Sequence, residues 1–379
     1  MKYIKLSECA YFSDKRTTLI DVDSYISTEN MVPNKGGIVK ADSIPDVKST
    51  SKYEVNDILL SNIRPYFCKI WLADKDGGCS NDVLVLKTKK RYEPKFLYYV
   101  LSDQNFFNYD TVTSKGTKMP RGTPNAIMKY LVPDIDVNTQ KKFVSILSAY
   151  DNLIENNNKR IKTLEQMAEN LYKEWFVRFR FPGHETTPFE NGIPKGWKIE
   201  KIKNCVKRLP FGKTYKEAEL EKEGSIIVID QSTEPFIGYH NDVAAHQANA
   251  KNPIILFGDH SCKFVLMTRD FSLGENIVPF ISYNDEIVNP YYLFFATHKI
   301  IETTEYKRHW GEFVNKKILI PTIDLQKEFA RTSTSIKSQL EQLLLENQNL
   351  IKQRDLLLPR LMSGKQEISN GRNNERYSK

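Results

Sequence analysis

The sequence runs through a similar order of segments twice, spaced by almost half of its 379 residues. Glu93-Pro94-Lys95-Phe96-Leu97-Tyr98-Tyr99 resembles Asn289-Pro290-Tyr291-Tyr292-Leu293-Phe294-Phe295, 196 positions on. Leu131-Val132-Pro133-Asp134-Ile135-Asp136, then Gln140 and Phe143, resembles Leu319-Ile320-Pro321-Thr322-Ile323-Asp324, then Gln326 and Phe329. The glutamines and the phenylalanines are each 186 apart. Near the two starts, Leu6-Ser7-Glu8-Cys9 and Ile202-Lys203-Asn204-Cys205 again sit 196 apart. A duplicated order of this kind points to a fold built from two related halves.

The first part of each half reads as short strands. Ile58-Leu59-Leu60, Lys69 to Leu72 and Val83 to Leu86 are apolar runs bounded by Asn, Asp, Gly and Pro. Ile226 to Ile229, Ile254 to Phe257 and Phe264 to Leu266 take the same place in the second half. Pro94 to Leu101 and Pro290 to Thr297 read as aromatic helices with Pro in the first turn.

The end of each half has a different period. Leu147, Tyr150, Ile154, Asn157, Ile161, Leu164, Ala168, Leu171 and Trp175 follow an unbroken 3-4 spacing, and so do Ser333, Ile336, Leu340, Leu343, Asn347, Leu350, Arg354, Leu357 and Leu361. About four heptads in each predict two long helices that pair as a coiled coil, rods of about 50 Å. With Leu147 and Ser333 as a positions, Asn157 falls at d and Asn347 at a. An antiparallel pairing sets a against d, so Asn157 is expected opposite Asn347, with Trp175 opposite Phe329. Facing amides satisfy each other and fix the register.

No apolar run approaches the roughly 20 residues that span a bilayer, and the start, Met1-Lys2-Tyr3-Ile4-Lys5, has no secretory apolar segment. A cytoplasmic protein is expected. Lys and Arg number 55 and Asp and Glu 47, a net +8 that fits a polyanion-binding surface. The five cysteines, at 9, 68, 79, 205 and 262, form no C-x-x-C pair, so neither a disulfide framework nor a zinc site is indicated.

Catalytic motifs are missing. There is no G-x-x-x-x-G-K-[ST] or G-x-G-x-x-G phosphate loop, no H-E-x-x-H and no G-x-S-x-G. Asn289-Pro290-Tyr291-Tyr292 resembles the N-P-P-[YF] base pocket of amino-methyltransferases, but it lacks the second proline and reads as a helix start. His240 and His246, six apart beside Asp242, lack a third ligand of suitable spacing. Asp259-His260 offers an acid-base pair, but the repeat sets Ser61-Asn62-Ile63-Arg64 against Phe257-Gly258-Asp259-His260. Arg64 in one copy and His260 in the other suit recognition better than catalysis.

Two loops look built for phosphate. Ser114 to Thr123 carries Lys115, Thr117, Lys118 and Arg121 with two glycines that permit close backbone approach. Its counterpart, Thr303 to Gly311, carries Lys307, Arg308 and His309. Arg can pair bidentately with guanine, and Lys can screen phosphate.

Taken together, the layout resembles the specificity subunit of a type I restriction-modification system. The resemblance covers nearly the whole length. It is carried by Asn191-Gly192-Ile193-Pro194-Lys195-Gly196-Trp197, by Leu356 to Gly364, by Ser61 to Tyr66, by Gly78-Cys79-Ser80-Asn81-Asp82, by Leu171 to Phe176 and by Phe257 to His260. It implies an α+β chain: a target-recognition domain at 1–138, a linker and second target-recognition domain at 181–323, spacer helices at 139–180 and 324–364, and a polar tail at 365–379. It further implies a non-catalytic subunit reading an asymmetric bipartite site on double-stranded DNA, with Asn62, Arg64, Lys115, Thr117, Lys118, Arg121, His260, Lys307, Arg308 and His309 as candidate contacts. Partners would be two methyltransferase subunits and the restriction/translocase subunits. No cofactor is expected on this chain; S-adenosylmethionine, ATP and Mg would belong to the partners. A coiled-coil interaction scaffold unconnected with DNA, or a stand-alone nuclease or methyltransferase with a degenerate motif, remains open at this point.

Overall fold

The computed structural model describes residues 2–18, 21–302, 305 and 307–362. Thr303, Thr304, Tyr306 and the expected polar tail lie outside the described residues. The chain divides into two compact units. The first takes the described residues up to Asn156 and those from Glu346; the second runs from Asn157 to Leu345.

The first unit holds two four-stranded sheets. In one, Ala10–Phe12, Val83–Thr88, Ile58–Ser61 and Ile70–Leu72 lie side by side and all neighbours are antiparallel. In the other, Gly77–Cys79 runs between Thr50–Tyr53 and Tyr25–Ile26. The aliphatic strands bury both faces, which is why they read as continuous apolar runs. The helix Pro94–Leu101 packs Phe96, Leu97, Val100 and Leu101 into the core, together with Phe106 and Phe107 of a second helix, Gln104–Thr113. That second helix, capped by Asp103 on the Asn105 amide, was not expected from the repeat, and its hydrophobic periodicity is weak.

The second unit repeats the plan. Val206–Arg208, Ile277–Ser282, Ile254–Gly258 and Phe264–Met267 form the matching antiparallel sheet, beside a three-stranded sheet of Gly238–His240, Ile226–Ile229 and Phe271–Leu273. A helix spans Pro290–Thr297, as the proline start predicts. One tie explains the spacing of 186. Gln140 is fully buried; its Oε1 accepts from the Glu93 N–H at 2.8 Å and its Nε2 donates to the Ile135 carbonyl at 2.8 Å. Gln326, equally buried, accepts from Asn289 N–H at 2.8 Å and donates to the Pro321 carbonyl at 2.8 Å.

That geometry corrects the sequence alignment at the junction. Gln140 reaches Ile135 and Gln326 reaches Pro321, so these two correspond, and Pro133 and Pro321 do not. The tripeptides Leu-Val-Pro and Leu-Ile-Pro are similar words two residues out of structural step.

The central helix spans Val137–Tyr172 and ends in a π-helical turn, Lys173–Val177. Asp136 caps its start, accepting from the Asn138 and Thr139 amides at 2.9 and 3.0 Å. The C-terminal helix spans Ile323–Met362, with Pro359 in its last turns. The described members of both 3-4 stripes are buried or half-buried, and most positions between them are exposed. Within the first unit, Asp151 meets Arg354 at 2.7 Å and Leu358 joins the core of Phe143 and Leu147. Within the second, the rings of Tyr172, Trp175 and Phe176 pack around Phe329, Trp175 at 6.1 Å between centroids. Early residues of one helix thus meet late residues of the other, which is an antiparallel pairing.

Candidate nucleic-acid interface

In the first unit the basic loop is pinned to the end of a core strand. Ser61 faces Val83 in the ladder, and the chain then turns out of the sheet. Asn62 donates its N–H to the Asp82 carbonyl at 2.8 Å and accepts at its own carbonyl from Gly122 N–H at 3.0 Å. Arg64 donates to the Pro120 carbonyl at 2.8 Å. Lys115 and Arg121 exchange two backbone hydrogen bonds of 2.9 Å, closing the loop into a small hairpin. Lys115, Thr117, Lys118 and Arg121 are left exposed at its surface. Gly122 has to be glycine: a Cβ there would lie 2.7 Å from Asp110 Oδ1 and 3.0 Å from Asn62 Oδ1.

Of the candidates on the preceding segment, Arg64 adopts a left-handed backbone (φ 51°) and sets its guanidinium 5.9 Å from the Phe67 ring centre. Asn62 points the other way. Its Oδ1 is buried beside the Asp110 carboxylate, whose oxygens have no hydrogen-bond donor. Asp110 is wholly buried, and burial pushes its carboxyl up to about 7.

The second unit pins its loop in the same way. Asp259 donates its N–H to the Asn276 carbonyl and accepts at its carbonyl from His309 N–H, both at 2.8 Å. Its Oδ1 also accepts from the His309 and Trp310 amides at 3.1 and 2.9 Å, capping the short helix Trp310–Asn315. Lys307 and Arg308 are exposed; Arg308 Nε lies 3.9 Å from Asp259 Oδ2. Two expectations change here. His309 is 2% exposed, its ring held near the Glu305 carbonyl, so the loop uses its backbone and keeps the imidazole inside. The hydrogen-bond pattern also equates Asn62 with Asp259, one residue off the alignment that set Arg64 against His260; His260 corresponds to Ile63 and is half-buried.

Sequence reasoning passed over Arg208. It stands at the end of Val206–Arg208 with its guanidinium 4.8 Å from the Phe211 ring and 5.9 Å from the Trp310 ring. With Arg308 and Asn276 it borders a cleft of about 340 Å³. Its signal in the sequence was faint, since Val-Lys-Arg reads only as a strand end.

The histidine pair is structural. His240 stacks on Tyr215 at 4.1 Å and bonds Ser272 Oγ at 2.8 Å, while His246 stacks on Phe271 and contacts the Phe211 carbonyl. Among the described residues, no three His, Cys, Asp or Glu side chains are grouped to hold a metal ion. Nor is any described helix long and apolar enough to cross a membrane. Asn157 and Asn347 are buried, in the second and first unit respectively.

Comparison with known proteins agrees with this geometry. Residues 7–166 match the family model for the type I restriction modification DNA specificity domain. The type I restriction enzyme MjaIX specificity subunit of Methanocaldococcus jannaschii is 24% identical over 312 residues, 72% of this chain and 69% of that protein. The MjaVIII specificity subunit of the same organism is 29% identical over 229 residues, 59% of this chain and 51% of that one. In fold, the type I restriction-modification S subunit from M. genitalium superposes with a TM-score of 0.57 at 15% identity, covering 95% of this chain and 96% of that one. With two sheet-based units, two long helices and exposed basic loops at matching strand ends, the chain is similar to type I restriction-modification specificity subunits, and its residues 7–166 carry the DNA specificity domain of that family.

Proposed function

We propose that each unit reads one half of a bipartite, asymmetric duplex DNA site. The observation that carries this reading is the basic loop pinned to the same strand end in both units, with exposed Lys115, Lys118 and Arg121 in one and Lys307 and Arg308 in the other. Loops of this kind supply phosphate contacts from Lys and base contacts from Arg. Because the surrounding side chains differ between units, the two half-sites differ. The long helices act as the spacer and as the docking surface for two methyltransferase subunits and the restriction/translocase subunits, with Asn157 and Asn347 fixing register. S-adenosylmethionine, ATP and Mg are used by those partners, and the assembly works in the cytoplasm.

The test is binding to duplex DNA across a salt series, with the chain in complex with its methyltransferase. Affinity is expected to fall steeply with salt; Lys115→Ala should reduce the slope by about 1, and Arg121→Ala should relax one half-site. Salt-independent retention, equal for wild type and both variants, would favour a protein scaffold instead.

A further inference from the structure

The hydrogen-bond pattern aligns the two loops residue by residue. Ser61 faces Val83 as Gly258 faces Ile277. The next residues, Asn62 and Asp259, each donate to the carbonyl of the residue preceding that partner, Asp82 or Asn276. Each then accepts from the loop amide of Gly122 or His309. Arg121 and Arg308, which directly precede those amides, are therefore the same arginine in two copies. Around them, an acid and an amide have changed places: Asn62 and Asp82 in the first unit, Asp259 and Asn276 in the second.

The arginine follows the acid. Arg121 Nη2 pairs with Asp82 Oδ1 at 3.2 Å, in the turn just before the strand that starts at Val83. Arg308 Nε leans toward Asp259 Oδ2 at 3.9 Å, just after the end of the strand Ile254–Gly258, whose counterpart in the first unit is Ile58–Ser61. Both guanidiniums are largely exposed, 52% and 78%, so a carboxylate beside each is what gives it a direction. The amide left over also differs. Asn62 turns its oxygen into the protein, whereas Asn276 is exposed and held in a left-handed backbone (φ 56°) at the mouth of the cleft beside Arg308.

We propose that this exchanged Asp/Asn pair is the specificity-determining positioning device of the two units. A shared arginine is steered to one strand end or the other and reads a different base pair in each half-site. Guanine, with its O6 and N7 acceptors, is the base a steered arginine takes bidentately. The exposed Asn276 adds an adenine-type donor and acceptor pair in the second unit only. The inference rests on the DNA-reading function proposed above.

The test uses the full chain with its methyltransferase subunits and sequences the duplexes retained from a randomised pool. Asp82→Asn releases Arg121 without changing its size, and should reduce the preference at one base pair of the first half-site about tenfold. Preference in the second half-site should be unchanged, which also reports that the variant is folded. Arg121→Ala, which removes the steered group itself, should flatten the same base pair, and adding Asp82→Asn to it should change nothing further. An unaltered first half-site preference in Asp82→Asn, with binding retained, overturns the steering role. A wild type that enriches no sequence overturns the DNA-reading function and this inference with it.

Discussion

Replacing Gln140 by leucine is the sharpest probe of why the chain repeats itself. The side chain is fully buried and holds three main-chain groups: Glu93 N–H at 2.8 Å, the Ile135 carbonyl at 2.8 Å and the Arg91 carbonyl at 3.4 Å. Leucine has nearly the same volume, so packing changes little, but the Glu93 amide and the Ile135 carbonyl lose their partners inside the protein. At roughly 1–2 kcal/mol for each orphaned group, the first unit should lose about 3 kcal/mol. With a urea slope of about 2–3 kcal/mol/M, its transition should fall by about 1 M while the transition of the second unit stays in place. Gln326→Leu should do the reverse. Amide exchange at Glu93 would report the local opening directly. Gln140→Glu adds a sign: its carboxylate would face two carbonyls, so the variant should be weakest where ionised and recover as acid protonates it. A Gln140→Leu midpoint within about 0.2 M of wild type would refute the tie.

Asp110 has a raised folded pKa, about 7, against an ordinary carboxyl when unfolded, so the native state holds the extra proton. Stability should therefore be greatest below the ordinary carboxyl value and decline as pH rises towards 7; pH-dependent urea unfolding should show Asp110→Asn lacking that decline and more stable than wild type at neutral pH. Arg354→Ala removes the partner of Asp151, two side chains 21% and 28% exposed. A loss of about 1–3 kcal/mol in the first unit is expected, less than for a fully buried pair, and the double-mutant cycle with Asp151→Ala should show coupling near 1 kcal/mol. Deleting one heptad from each long helix should shorten the gap between methylated half-sites by about three base pairs, from ~10 Å of rise; an unchanged gap in methylation mapping would remove the spacer role.

Much of the architecture was legible because long periods leave a strong trace. Four heptads cannot sit on a helix without a buried stripe, and Pro94 and Pro290 mark helix starts by their chemistry. The second sheet was harder to see. Gly77-Gly78-Cys79 carries no strand signal, yet it is a central strand because its neighbours Thr50–Tyr53 and Tyr25–Ile26 need its backbone. In the loops, residue type showed where cations gather but not which way they turn. His309 and Arg308 are adjacent, and only hydrogen bonding to Asp259 decides that one is inside and the other out. Likewise the Asp/Asn exchange is invisible until ladder register aligns the halves, since those residues come from segments some 20 positions apart.

The first unit is assembled from both ends of the described chain, and this gives the protein a timetable. Leu358, part of the core around Phe143 and Leu147, and Arg354, the partner of Asp151, are made after the whole of the second unit. At about 5–20 residues per second, a ribosome takes roughly 10–40 s to pass from Asn156 to Glu346. For that interval the unit begun first waits with an open apolar face, and the unit begun second can finish before it. A premature stop before Glu346 would leave the first unit without Arg354 and Leu358, so residues made late in synthesis decide whether residues made early are covered.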